Sequence, residues 1–158
     1  MSFRVSGLSV SEFTPLFALS DAELLARGFR RCRAPMAGAR MPCRVSLGFT
    51  PPGETAILLA YTHQPAPHSP FRASGPIFVR EKARETFDRI DELPPALADS
   101  AALSLRAYDE GDMMVDADIV PGSAARPALE RLLGRVDVAY VHAHFAPRGC
   151  YLARIDRA

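Results

Sequence analysis

Between Leu103 and Ile155 the chain alternates apolar and polar residues in four stretches, arranged as two pairs each closed by a three-residue loop. Alternation with period two marks a strand with one buried face, and two such runs joined by a tight turn make an antiparallel hairpin. Leu103, Leu105 and Ala107 share one face of the first strand, with Ser104, Arg106 and Tyr108 on the other. Met113, Val115, Ala117 and Ile119 repeat the apolar face, opposite Met114, Asp116 and Asp118. The odd loop Glu110-Gly111-Asp112 makes the two apolar faces coincide, and that register predicts Arg106 across from Asp116 and Ser104 across from Asp118. In the second pair Ala139, Val141, Ala143 and Phe145 are apolar, while Val138, Tyr140, His142 and His144 take the opposite face. Pro147-Arg148-Gly149 closes it, with glycine where a three-residue hairpin needs a positive φ. The matching register aligns Phe145 with Tyr151, Ala143 with Ala153, Val141 with Ile155 and His142 with Arg154.

Residues 123–135 join the two hairpins and place Leu129, Leu132 and Leu133 at helical spacing, the signature of an amphipathic helix packed on a sheet. The predicted fold class is therefore α+β: one domain over residues 1–158, built on a largely antiparallel β-sheet, with the two C-terminal hairpins joined by an amphipathic helix. Upstream, residues 3–8 read as a strand and residues 12–17 as a short helix. Ser20 and Glu23 form a capping box, and Gly28 stands where a helix ends in a left-handed residue. Residues 43–49 alternate like a half-buried strand, and residues 56–61 are apolar on both parities, like a central strand covered on both faces. Residues 64–76 contain Pro65, Pro67, Pro70 and Pro76 and read as a long loop, followed by a short strand at 77–79. Residues 81–92 read as partly helical, and residues 94–99 as a turn of helix.

Composition excludes several function classes. The net charge of +1 removes the whole-molecule attraction to nucleic acid or anionic membrane, and no apolar run approaches the ~20 residues of a membrane helix. Six arginines and no acidic residue occupy positions 27–44, but no nucleic-acid-binding motif accompanies them, so a nucleic-acid partner is not expected. The first residues lack a signal-peptide pattern, and the odd set Cys32, Cys43 and Cys150 lacks a CxxC pair; both point to a cytoplasmic protein with reduced thiols. Arg44 and Arg148 lie next to Cys43 and Cys150 in sequence only; Cys43 has the apolar parity of its strand, and Cys150, which shares the parity of Arg154 and is the better candidate for a reactive thiol, reads more simply as a small buried filler. There is no GxGxxG, GxxxxGK or GxSxG, so dinucleotide, P-loop and serine-hydrolase sites have no support.

The remaining chemistry lies on the polar faces of the two hairpins. If the sheet is continuous, Arg106, Tyr108, Asp116, Asp118, His142, His144 and Arg154 form one polar surface. Arginine and imidazole together suit a small anionic molecule, with Arg72 and Ser74 of the 64–76 loop closing from above. Arg72, Ser74, Arg106, Tyr108 and Arg154 are the candidate ligand-binding residues, and His142 and His144 the candidate general acid or base. His142 and His144 are two apart on a strand and point the same way, so they are also candidate metal ligands, with His63 or an aspartate (Asp116, Asp118) as a third. The bland alternative is a solvated sheet face with ordinary cross-strand ion pairs, or a homodimer contact through that face or the edge of the last hairpin.

Several stretches together resemble the bacterial family known as domain of unknown function 1203: Pro42-Cys43-Arg44-Val45-Ser46, residues 61–65, residues 71–79, Arg106-Ala107-Tyr108-Asp109, residues 114–118, residues 140–144 and Arg148-Gly149-Cys150-Tyr151. The resemblance implies neither an activity nor a cofactor. Phe71 departs from it, since similar sequences carry tyrosine there.

Overall fold

A computed structural model describes residues 1–158. In chain order the strands are β1 (Phe3–Ser6), β2 (Arg30–Arg33), β3 (Thr55–Gln64), β4 (Ala73–Arg80), β5 (Asp88–Ile90), β6 (Leu103–Tyr108), β7 (Met114–Val120), β8 (Tyr140–Phe145) and β9 (Tyr151–Arg157). The α-helices are α1 (Val10–Phe13), α2 (Asp21–Ala26), α3 (Pro95–Ala98) and α4 (Ala125–Leu133). Two antiparallel sheets result, one of six strands in the order β5-β1-β9-β8-β6-β7 and one of three in the order β2-β3-β4. The single predicted sheet is thus a large sheet and a small one. Arg30–Arg33 of the basic stretch forms an edge of the small sheet, with Arg31 held by Asp21 and Glu81.

The large sheet buries its apolar face against α4. Leu129, Leu132 and Leu133 of α4 pack with Leu103, Leu105, Val141, Ala143, Ala153 and Ile155, so the periodicities of two and 3.6 meet in one core. A second core lies under the small sheet, where Ile57, Leu59, Ile77 and Val79 meet Phe13 and Leu24. Leu24 is held there by α2, which starts at the predicted capping box of Ser20 and Glu23 and is followed by Gly28 at φ +76°.

Both hairpins form, and each carries a β-bulge that changes what it presents. In the first, Tyr108 pairs with Met114 as the turn predicts, but the register then shifts by one, so that Ala107 faces Asp116, Leu105 faces Asp118 and Arg106 faces Ala117. A one-residue slip moves every later side chain to the opposite face. Asp116 and Asp118 therefore turn toward α4, where Arg135 and Arg131 each reach them at 2.6 Å, and leave the polar face on which Arg106 stands. In the second hairpin Val141–Ile155, His142–Arg154 and Ala143–Ala153 pair as predicted. A shift at the turn then pairs His144, not Phe145, with Tyr151.

Three upstream segments differ from their sequence reading. Residues 43–49 are not a strand, because their backbone bonds in several directions: Arg44 N–H donates to Phe78 O, Arg44 O accepts from Leu8 N–H, Val45 O accepts from Phe87 N–H, and Leu47 O accepts from Ala96 N–H. Within residues 81–92 no helix forms; β5 pairs along β1 there instead. The loop after β3 is also shorter, since β4 already begins at Ala73, runs through Gly75 and Pro76, and leaves only residues 65–72 unpaired.

Segment 43–49 wedges the sheets together, and Gly7 is where β1's continuation passes closest to it: a Cβ at Gly7 would sit 2.2 Å from Val45 O. Gly7→Ala is expected to destabilise the protein by about 1–3 kcal/mol in urea titrations. Gly48→Ala, whose Cβ would meet only the Ser46 hydroxyl at an ordinary contact distance of 3.9 Å, should stay within about 0.5 kcal/mol of wild type.

Candidate functional site

The polar face of the large sheet is continuous, as the hairpins require. Strand β6 pairs with β8, so Arg106, His142 and Arg154 form one cross-sheet row, with Ser104, His144 and Tyr151 beside it on one side and Tyr108, Tyr140 and Asp156 on the other. This face is not open to water. The end of β3 crosses it, where the pairing of β3 with β4 breaks between Tyr61 and Gln64. A bulge redirects side chains, and here it lays the His63 ring parallel to Tyr151 at 5.2 Å and edge-on to His144 at 5.0 Å. Gln64 then donates to the Tyr140 hydroxyl at 2.8 Å, and Tyr140 donates to Asp112 at 2.6 Å. The 65–72 loop is pinned by Ser69, which donates to Asp112 O at 2.7 Å, and by the edge of Phe71 against Tyr108.

One ring nitrogen from each of His63, His142 and His144 lies within 4.8 Å of the other two. His142 is 3% exposed and His144 is fully buried. Only four buried side-chain polar atoms in the chain lack a hydrogen-bond partner, and three of them are on these rings: His63 Nδ1, His142 Nδ1 and His144 Nε2. His144 Nδ1 stands 2.9 Å from the carbonyl of Gly149, which can only accept. That contact fixes the proton on Nδ1 and leaves the Nε2 lone pair facing inward. The glycine predicted from the hairpin loop, at φ +71°, thus also orients a histidine.

Desolvation holds all three imidazoles neutral. Burial is the first cause in each case, pushing His142 down to about 3 and His144 down to about 4, and lowering His63 as well. The neighbouring cations act in the same direction: Arg106 on all three rings, Arg154 on His142 and Arg44 on His144. Neutral imidazoles are poor anion partners but good metal ligands, since each keeps a lone pair.

Beside the cluster is a cleft of about 300 Å³ lined by His63, Gln64, Asp112, Tyr140, His142 and Arg154 among others. Arg154 is held by Asp156 through Nε and Nη2 and stacks on Tyr140 at 3.9 Å. Of the other residues singled out from the sequence, Tyr108 is buried and stacks on Tyr140, and Arg106 stands beside His142 with Nε 3.3 Å from Ser104. Arg72 and Ser74 do not line the cleft: Arg72 donates to Pro65 O, and Ser74 bonds Thr62 on the exposed side. The third histidine is His63, while Asp116 and Asp118 are on the far face.

Sequence reading missed Tyr151, Asp112 and Arg44. A bulge brings Tyr151 to this face, and Asp112 sits in a hairpin loop at φ +60°. Arg44, 2% exposed, donates to Tyr151 O and Pro42 O at 2.8 Å each; no pattern along the chain signals a buried arginine.

The family model described as "Protein of unknown function (DUF1203)" matches residues 40–157. The chain belongs to that family. The match contains all three histidines, Arg44, Arg106 and Arg154, and every stretch that carried the resemblance. No curated protein and no solved structure matches the chain. No helix of this DUF1203 protein is long and apolar enough to cross a membrane.

The depressed histidines make the metal-free protein sensitive to acid. Below the ordinary imidazole value of about 6.5 the unfolded chain takes up protons that native His142 and His144 refuse until about 3 and about 4, respectively. Stability present above pH 6.5 is therefore lost as pH falls, at about 1.4 kcal/mol per pH unit for each histidine. Urea melts of chelator-treated protein at pH 7.5 and 5.0 should show this loss, and His142→Gln should reduce it.

Proposed function

We propose that this protein is a metal-dependent binding or catalytic domain for a small anionic molecule, with His63, His142 and His144 as metal ligands and the adjacent cleft as the ligand site. The observation that carries the reading is the trio of buried ring nitrogens without partners, one from each histidine. An orphaned buried polar atom costs free energy, and native structures contain few. Three orphans on one cluster are accounted for together if they share an ion.

The donor set suits such an ion. All three donors are imidazole, with no thiolate or carboxylate in the cluster, which favours zinc and the neighbouring late first-row metals over calcium or magnesium. Ligands of a tetrahedral zinc stand about 3.4 Å apart for bonds of about 2.0–2.1 Å, so the rings would draw in by about an ångström on loading. Three protein ligands leave one position for water or substrate, as in hydrolytic zinc sites, and metal-dependent hydrolysis is the reaction that such an open position would support. The alternative of a non-catalytic interaction surface is less well supported. The polar face is covered by the chain's own β3, and the last hairpin is central in its sheet, with β6 and β1 on its two edges.

Metal-free protein titrated with Zn²⁺ or Co²⁺ should bind one ion per chain. At about 100 times its dissociation constant the ion should add about 2.7 kcal/mol of stability. His63→Ala and His144→Ala, checked for folding by circular dichroism, should lose that stabilisation. Equal stabilisation of wild type and variants, or none in either, would refute the metal reading.

A further inference from the structure

The charged side chains that bear on the three histidines are arginines. Arg106 and Arg154 stand one strand to either side of His142 in the same cross-sheet row. Arg44 is buried behind Tyr151 with only carbonyl partners, and Arg106 has no carboxylate partner either. The acidic groups around the cleft are each engaged away from the rings: Asp112 by the Tyr140 hydroxyl, Asp156 by Arg154, and Glu12 against Tyr61. The charges that bear on the three rings are those of Arg106, Arg154 and Arg44, with no carboxylate acting on them, so the histidines sit in a positive field before any ion enters, and a divalent cation held by neutral imidazoles adds to it. In a partly desolvated site such an excess is costly unless an anion joins the assembly.

We infer that the molecule bound in the cleft presents an oxyanion group, a carboxylate or a phosphate, with one oxygen at the open metal position and another on Arg154. This rests on the metal reading above. Arg154 is suited to the role because it lines the cleft and because Asp156 engages Nε and Nη2 while Nη1 makes no hydrogen bond. A guanidinium grips paired oxygens through parallel N–H donors, which a halide or a neutral ligand cannot match. The stacking of Arg154 on Tyr140 and its pairing with Asp156 hold the fork in place, so little side-chain entropy is lost on binding. Arg106, on the other side of His142 and outside the cleft lining, contributes its field without touching the ligand. Metal and oxyanion then bind cooperatively, each raising the affinity of the other by the same factor.

Cobalt(II) makes the test direct, because its visible spectrum reports ligands entering the metal's open position. Co²⁺-loaded protein is titrated with acetate, with inorganic phosphate and with imidazole as a neutral metal ligand, in wild type and Arg154→Gln. Acetate and phosphate, or one of them, should perturb the wild-type spectrum, and Arg154→Gln should weaken that oxyanion binding about tenfold or more while leaving imidazole binding and cobalt stoichiometry unchanged. The arm that binds more tightly identifies the oxyanion. Cobalt bound with no oxyanion response, or an oxyanion response equal in wild type and Arg154→Gln, overturns the inference and leaves the metal site standing. Failure to bind cobalt at all overturns both.

Discussion

Three imidazoles packed against one another, two of them buried and the half-buried His63 at the cleft wall, each with a buried unpartnered nitrogen, are the constraint around which this molecule is arranged. An imidazole so placed stays neutral, and its lone pair needs an acceptor of electrons more than it needs solvent. The two sheets meet at this point. His142 and His144 belong to the large sheet and His63 to the small one, so whatever satisfies the three nitrogens also joins the sheets. Arg44 reinforces the junction, since its segment bonds to β4 through the backbone and to β9 through the guanidinium.

Much of the frame is legible along the chain because it follows from periodicity. Alternation places His142 and His144 on one face, the capping box starts α2, and Gly149 marks the turn whose carbonyl orients His144. The assembly of the site was legible only in part, because three β-bulges decide it. One at Val115 sends Asp116 and Asp118 to α4, one at Leu152 brings Tyr151 under His63, and one near Thr62 turns His63 inward. A bulge is a one-residue event whose sign depends on what the neighbouring elements offer, here Arg131 of the packed helix and Arg135 just after its end. Alternation alone predicts the unbulged register, and beyond the bulge at Val115 that places each side chain on the wrong face.

The segments misread as a strand and a helix share a physical cause. Residues 43–49 and 81–92 satisfy their backbone groups through long-range partners, and local propensity is a weak guide where such bonds are available. These same segments fix the junction between the sheets. Family membership falls on this part of the molecule, since the DUF1203 match begins at residue 40 and takes in the junction, the histidines and all three arginines beside them. Sequence reading had identified His63, His142 and His144 as candidate ligands, and the geometry brings them together while excluding the aspartates that competed with His63.

The most direct measurement is a crystal structure of zinc-loaded protein with anomalous data collected on both sides of the zinc absorption edge. A three-histidine zinc site gives a single anomalous peak at about 2.0–2.1 Å from one nitrogen of each of His63, His142 and His144, with a fourth position facing the cleft beside Arg154. Ordered waters bridging those nitrogens, with zinc absent or bound only elsewhere on the surface, would contradict it.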